Sequence, residues 1–218
     1  EVLAAQPDMP EVLNLLGTLA CQTGRHALAI DLAERALALQ PDYPEALNSR
    51  GNALREAGRP VEALASYDHA LNLRPGYAVA WSNRGLALAA LGRLEEAVAS
   101  YDVALKIGDD GGVTHYNRAN VLRSLGWHEE ALAGYAQASA LGWDDPRVSY
   151  NRGHLCFDLG RFDEALAAYE RALAIDPGYV AAWTNRGNTL QELGRHGEAL
   201  QSYARALALE PDNPDALW

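Results

Sequence analysis

The stretch AWTNRGNTLQELGRHGEALQSYARALALEP, residues 182–211, decides how the rest of the chain reads. The same pattern stands 102 residues earlier, in AWSNRGLALAALGRLEEAVASYDVALKIGD at 80–109, and 102 is three times 34. Laid on itself at a shift of 34 residues, the chain aligns without a gap into six blocks: 10–43, 44–77, 78–111, 112–145, 146–179 and 180–213. Residues 1–9 read as the tail of a preceding block and 214–218 as the start of a further one. Solenoid ends normally carry a polar capping helix, and none is legible, so the sequence is expected to be cut from a longer protein.

Each recurring place has a physical reading. The fifteenth holds Gly24, Gly58, Gly92, Gly126, Gly160 and Gly194, each after an amphipathic run, and predicts a helix stop in the left-handed conformation. Acidic residues three or four places on, such as Glu95 and Glu96 or Asp163 and Glu164, suit the positive end of a second helix. That helix is expected to stop before Pro41, Pro75, Pro177 or Pro211. Ala recurs at the twentieth place, from Ala29 to Ala199, and at the twenty-seventh, from Ala36 to Ala206. The eighth place is Gly except for Ala119. These small residues let helices approach closely, while Tyr67, Tyr101, Tyr135, Tyr169 and Tyr203 fill the wider gaps. One block is therefore a helical hairpin unable to bury its face alone. Thirteen or fourteen helical segments are expected once the stubs at both ends are included.

Composition agrees. Among 218 residues, 40 are Ala, 33 Leu and only 13 Val or Ile, so the class is all-α. A net charge of −11 without a basic face argues against nucleic acid as a partner. No apolar run reaches the roughly 18 residues that a membrane span requires, and no signal segment opens the sequence, so no membrane insertion and a cytoplasmic location are expected. Seventeen Arg against one Lys, with the excess of Ala, suggest a GC-rich bacterial coding sequence.

The string Ala-Trp-x-Asn-Arg-Gly…Leu-Gly-Arg…Glu-Ala…Tyr…Ala-Leu…Pro resembles the tetratricopeptide repeat, and six copies cover essentially the whole chain. That resemblance implies a right-handed superhelical solenoid of helix-turn-helix hairpins, with the first helix of each lining a concave groove that binds other proteins.

No catalytic constellation is recognisable: no nucleophile with a base, no paired carboxylates, no phosphate loop and no metal-ligand spacing. The chain therefore reads as no enzyme, with no cofactor and no metal. Cys21 and Cys156 lie about four repeats apart and do not read as a disulfide. His26, His128 and His196 share the seventeenth place, a packing position, and read as structural.

What exceeds the needs of the fold lies on the first helices. Helical spacing puts the second, fifth, sixth, ninth, twelfth and thirteenth places on the face turned away from the second helix. The sixth place holds Asn83, Asn117, Asn151 and Asn185; the ninth holds Asn52, Asn120 and Asn188. Asn is a mediocre helix former, and its amide can pair with both the C=O and the N–H of a passing backbone. The row therefore reads as a sequence-tolerant clamp for an extended peptide; the competing reading bonds these amides to water, neighbouring helices or each other. Arg55, Arg123 and Arg147 fall on the same face and suit a carboxylate. By contrast, Arg50, Arg84, Arg118, Arg152 and Arg186, at the seventh place, are expected to reach acids such as Asp68, Asp102 or Glu170. A similar asparagine ladder belongs to the repeat arrays of O-linked N-acetylglucosamine transferases. This likeness implies an alternative function, a substrate-recruiting or regulatory arm of a larger glycosyltransferase-like enzyme.

The fourth block departs most. Gly108-Asp109-Asp110-Gly111-Gly112 replaces the proline stop before it, Gly134 enters its second helix, and Trp143 replaces the proline after it. Stiffness is expected to drop there, and Tyr116, Tyr150, His154 and Phe157 make it the richest candidate patch. At the ends, Val2 and Leu3, and the face of Leu200, Tyr203 and Leu207, are expected to leave apolar surface that favours weak head-to-tail self-association.

Overall fold

The computed structural model describes residues 9–108 and 111–211. Among the described residues are twelve α-helices and no strand. The expected stubs at both ends, with Val2, Leu3 and 214–218, lie outside them, as do Asp109 and Asp110.

Two compact units divide the chain, Glu1–Asp110 and Gly111–Trp218. The first holds the hairpins α1 (Pro10–Gln22) with α2 (His26–Leu39), α3 (Pro44–Glu56) with α4 (Pro60–Leu73), and α5 (Ala78–Ala90) with α6 (Leu94–Ile107). The second holds α7 (Gly112–Ser124) with α8 (His128–Ala140), α9 (Pro146–Asp158) with α10 (Phe162–Ile175), and α11 (Val180–Glu192) with α12 (His196–Leu209). Within each unit a helix packs on its hairpin partner, and a second helix also packs on the next first helix.

The punctuation acts as its chemistry dictates. Every fifteenth-place Gly is left-handed; Gly92, at φ 73°, turns the chain so that Arg93 N donates to Leu88 O at 3.0 Å and closes the end of α5. The residue after that Gly is the N-cap of the second helix, which begins one residue later, as Leu94 follows Arg93. Arg59, Arg93 and Arg195 each grip the Glu three residues on with paired bonds of 2.6–2.8 Å. α2, α4, α10 and α12 all end two residues before their prolines.

The core is built from the invariant places. Ala63, Ala70, Ala97, Ala104, Ala165 and Ala172 are fully buried, and so are the rings of Tyr67, Tyr101 and Tyr135. Tyr rings lie directly against eighth-place Gly: at Gly187 a Cβ would stand 2.5 Å from the Tyr203 ring. The fourth block solves the same contact differently. Ala119 takes the eighth place, and Gly134, on the facing helix, gives it room, because a Cβ there would lie 2.9 Å from the Ala119 Cβ. Gly134 thus serves a close helix approach.

Seventh-place arginines tie hairpins together. Arg84 donates to Asp68 and to Ser100, both at 2.7 Å, and Arg186 donates to Glu170 at 2.9 Å and Ser202 at 2.7 Å. Arg50 donates to Ser66 at 3.0 Å. The serines, which sequence reasoning passed over, bond back to the carbonyl four residues earlier, as Ser100 does to Glu96.

Two expectations need correction. His196 is exposed instead of packed, because the seventeenth place is the first residue of a second helix; His26 and His128 are half-buried. At the last helix, Tyr203 is only 6% exposed and Leu207 is half-buried, since α11 covers them; of the three residues named there, Leu200 alone is exposed.

Candidate functional site

The first helices turn toward solvent a face whose side chains meet across neighbouring repeats at a spacing of 35 residues. In the first unit Asn83 Nδ2 donates to Asn48 Oδ1 at 3.0 Å. In the second, Asn151 Nδ2 donates to the Tyr116 hydroxyl at 3.1 Å, and Asn185 Nδ2 donates to the Tyr150 hydroxyl at 3.0 Å. Each bond joins a sixth-place Asn to the fifth place of the preceding repeat. Asn117 stands on α7, the first helix of its unit. The backbone-clamp reading is therefore modified: part of each bonded amide already serves its neighbour.

The ninth place works inward as well. The hydroxyls of Tyr67, Tyr135 and Tyr203 donate to Asn52, Asn120 and Asn188, each at 2.7 Å. Asn120 Oδ1 also accepts from Asn151 at 3.1 Å. These amides satisfy buried hydroxyls, the role that a buried tyrosine demands. Burial disfavours the phenolate throughout this row and pushes Tyr135 up to about 12.

Candidate side chains gather in two places. Asn52, Arg55 and Asn83 line a cavity of about 380 Å³ in the first unit, with Cys21, His26 and Glu56. Arg55 is paired there with Glu56 at 2.8 Å, so its charge is partly answered within the chain. In the second unit His154, Phe157, Asn185 and Asn188 border a cavity of about 110 Å³ beside Tyr169 and Asp158. His154 Nδ1 lies 3.0 Å from Asp158, and the Phe157 ring packs edge-on against Phe162 at 5.4 Å.

Arg147 is exposed but committed. Asp145 caps α9 by accepting from Arg147 N at 2.9 Å, and the Arg147 guanidinium closes back on the same carboxylate at 2.5 Å. That guanidinium, with burial opposing it, holds the Asp145 carboxyl below its usual value. Arg147, a candidate ligand cation by sequence, stands here in a local ion pair; no rule of helix-face spacing could show it, because Asp145 precedes the helix. Arg123 is half-buried and has no acidic partner among the described residues.

Aromatic rings cluster beside this row. Tyr150 lies 4.9 Å from Tyr179 and 6.4 Å from His154, centroid to centroid, and Tyr116 meets Trp143 edge-on at 5.0 Å. Burial pushes Tyr179 up to about 12. Sequence reasoning named Tyr116 and Tyr150 but not Tyr179 or Asn48; for Asn48 the 35-residue spacing from Asn83 was the signal available, and for Tyr179 its recurrence with Tyr43 and Tyr77 at the last place of a block.

Elsewhere, a cavity of about 700 Å³ opens between α10, α11 and α12. Its cations are occupied: Arg186 bonds Glu170 and Ser202, and Arg205 stands 5.8 Å over the Trp183 ring. No group of His, Cys, Asp or Glu among the described residues is placed to hold a metal, and no described helix is long and apolar enough to cross a membrane.

Family models described as tetratricopeptide repeat match residues 8–76, 48–112 and 180–213, and one described as TPR repeat matches 153–194. No curated protein matches the chain. Among solved structures, YrrB, described as a TPR protein with an unusual peptide-binding site, is 26% identical with a TM-score of 0.72 over 85% of this chain and 95% of its own. PilW, a type IV pilus biogenesis factor, superposes with a TM-score of 0.84 at 18% identity, covering 95% of this chain and 96% of its own. MamA from Desulfovibrio magneticus RS-1 gives 0.71 at 20% identity over 78% and 97%. At their level of identity the last two speak for the fold alone.

Proposed function

Because the chain belongs to the tetratricopeptide repeat family, we propose that it is a non-catalytic interaction scaffold that holds an extended peptide, or such a segment of a protein, along the outward face of its first helices. The observation that carries this reading is the register of polar and aromatic side chains there. Fifth-, sixth- and ninth-place residues recur on the first helices at the spacing of the repeat, half-buried and linked helix to helix. A peptide backbone is a periodic ligand with one donor and one acceptor at each non-proline residue, and a periodic row of amides and hydroxyls complements it. The likeness to YrrB, at 26% identity, supports peptide as the ligand class. On a longer chain the same face would serve as a substrate-recruiting arm of an enzyme, and the asparagine row is what favours that second reading.

The test is replacement of Asn83, Asn117, Asn151 and Asn185 together by Ala. With each peptide hydrogen bond worth about 0.5 to 1.5 kcal/mol net, affinity for a co-purified partner should fall at least about tenfold while the helical spectrum persists. Equal affinity of the two proteins rejects the reading.

A further inference from the structure

The side-chain bonds of α7, α9 and α11 leave two hydroxyl donors over. Asn151 Nδ2 commits both its hydrogens, one to the Tyr116 hydroxyl and one to Asn120 Oδ1. Asn185 Nδ2 commits one to the Tyr150 hydroxyl. Each tyrosine oxygen thus receives a hydrogen and keeps its own, for which no acceptor is present among the described residues. Tyr116 and Tyr150 are half-buried and hold the same place in consecutive repeats. At Asn151 the donor capacity expected of the asparagine has passed to the tyrosine it bonds.

The surroundings narrow the ligand. Tyr179 packs 4.9 Å from the Tyr150 ring, and Trp143 packs 5.0 Å from that of Tyr116, centroid to centroid, so a second aromatic ring flanks each tyrosine. Arg123, without an acidic partner among the described residues, lies within electrostatic reach of Tyr150. Neighbouring packed helices stand about 8–10 Å apart. A polyproline II strand has three residues per turn at about 3.1 Å each, so carbonyls on one side of it recur about every 9.3 Å. A β-strand, with side groups on one face about every 6.8 Å, does not keep that step. Polyproline II carbonyls have no internal partners, proline supplies no N–H, and pyrrolidine rings dock on aromatic grooves.

The geometry points to an acidic, proline-rich peptide in the polyproline II conformation as the ligand of this unit. Tyr116 and Tyr150 donate to carbonyls one turn apart, Tyr179 and Trp143 carry the prolyl rings, and Arg123 pairs with a carboxylate. This inference rests on the peptide-binding reading of the first-helix face and sharpens it.

Fluorescence anisotropy of the full chain would test it with two labelled probes: ten prolines followed by two glutamates, and ten alternating Gly and Ser followed by the same two glutamates. The proline probe should bind at least about tenfold more tightly. Tyr116→Phe combined with Tyr150→Phe should weaken it about tenfold while the helical spectrum persists, and Arg123→Gln should remove the preference for the glutamate-bearing probe over one ending in two glutamines. Should the double variant melt lower, the Arg123→Gln comparison still decides. Equal binding of both probes overturns the polyproline inference, and loss of that binding in the four-asparagine variant would leave the peptide-binding reading standing. Failure of the chain to bind either probe overturns the inference too, whereas the peptide-binding reading then depends on the co-purified partner alone.

Discussion

Leu86 precedes Tyr101 by fifteen residues, the place from which Asn52, Asn120 and Asn188 accept the hydroxyls of Tyr67, Tyr135 and Tyr203, and the buried Tyr101 hydroxyl has no hydrogen-bond partner among the described residues. A buried donor left unmatched carries a desolvation cost of about 1–3 kcal/mol. Two substitutions of identical chemistry should therefore differ. Tyr67→Phe should destabilise by about 1 kcal/mol, the net worth of its bond to Asn52, while Tyr101→Phe should be neutral or stabilising. Urea unfolding of both variants measures the contrast, and equal losses would contradict the assignment.

The Ala119 and Gly134 pair predicts a compensated exchange. Gly134→Ser, which installs the residue found at the equivalent Ser66, Ser100 and Ser202, brings a Cβ to 2.9 Å from the Ala119 Cβ and should cost about 1–3 kcal/mol. Adding Ala119→Gly restores the arrangement of the other blocks. In a double-mutant cycle the pair should show a favourable coupling of about 1 kcal/mol or more; simple additivity would mean that the two helices do not share that space.

Asp145 predicts a pH dependence. Its folded-state value is lowered, so its contribution is fully present above its unfolded value, near 4, and is lost as pH falls through the folded value. Asp145→Ala should cost about 1 kcal/mol at neutral pH, the usual worth of a helix cap. The gap between variant and parent should narrow as pH falls below the unfolded value and through the lowered folded one, as followed by thermal melts from pH 7 downward. A gap independent of pH would remove the carboxylate from the account.

Arginines of the same chain should divide by burial. Arg84 has a side chain 20% exposed and bonds two partners on different helices, so Arg84→Ala should cost about 1.5–3 kcal/mol, the range for hydrogen bonds to charged groups. Arg93 and Glu96 are bonded as closely, but their side chains are 45% and 53% exposed. Arg93→Ala should leave the melting temperature almost unchanged, since solvent screens such a pair. Comparison of the two melts decides.

How much of this was legible beforehand follows the reach of each interaction. Hairpin ends were legible because Gly at φ above 70° and Pro after a helix act within a few residues, where spacing alone reveals them. The links from Arg84 to Asp68 and from Arg186 to Glu170 were legible for a related reason: invariant places, once stacked, fall at fixed offsets. The site was less so. Asn83, Asn151 and Asn185 were found by their recurrence, yet their partners depend on which fifth-place residue the previous repeat carries, a property of two blocks and not of one. The Asp145 partner of Arg147 was not legible because it precedes the helix, beyond the reach of helix-face spacing, and the burial of Tyr203 was missed because an end was imagined bare that α11 already covers.

The 35-residue step between sixth and fifth places also bears on how such an array changes by descent. Every polar junction on the first-helix face is composed from two neighbours, so duplicating or losing one 34-residue block alters no block internally yet creates a junction between residues that never met. Removing 112–145, for instance, would present Asn151 with Ser82 in place of Tyr116. The hydrophobic core, made of near-invariant Ala, Gly and Tyr, would accept the splice because every block offers the same surfaces. Recognition and stability are thereby inherited separately: a slippage in the gene can deliver a new binding face in one event, on a scaffold that does not have to be redesigned to carry it.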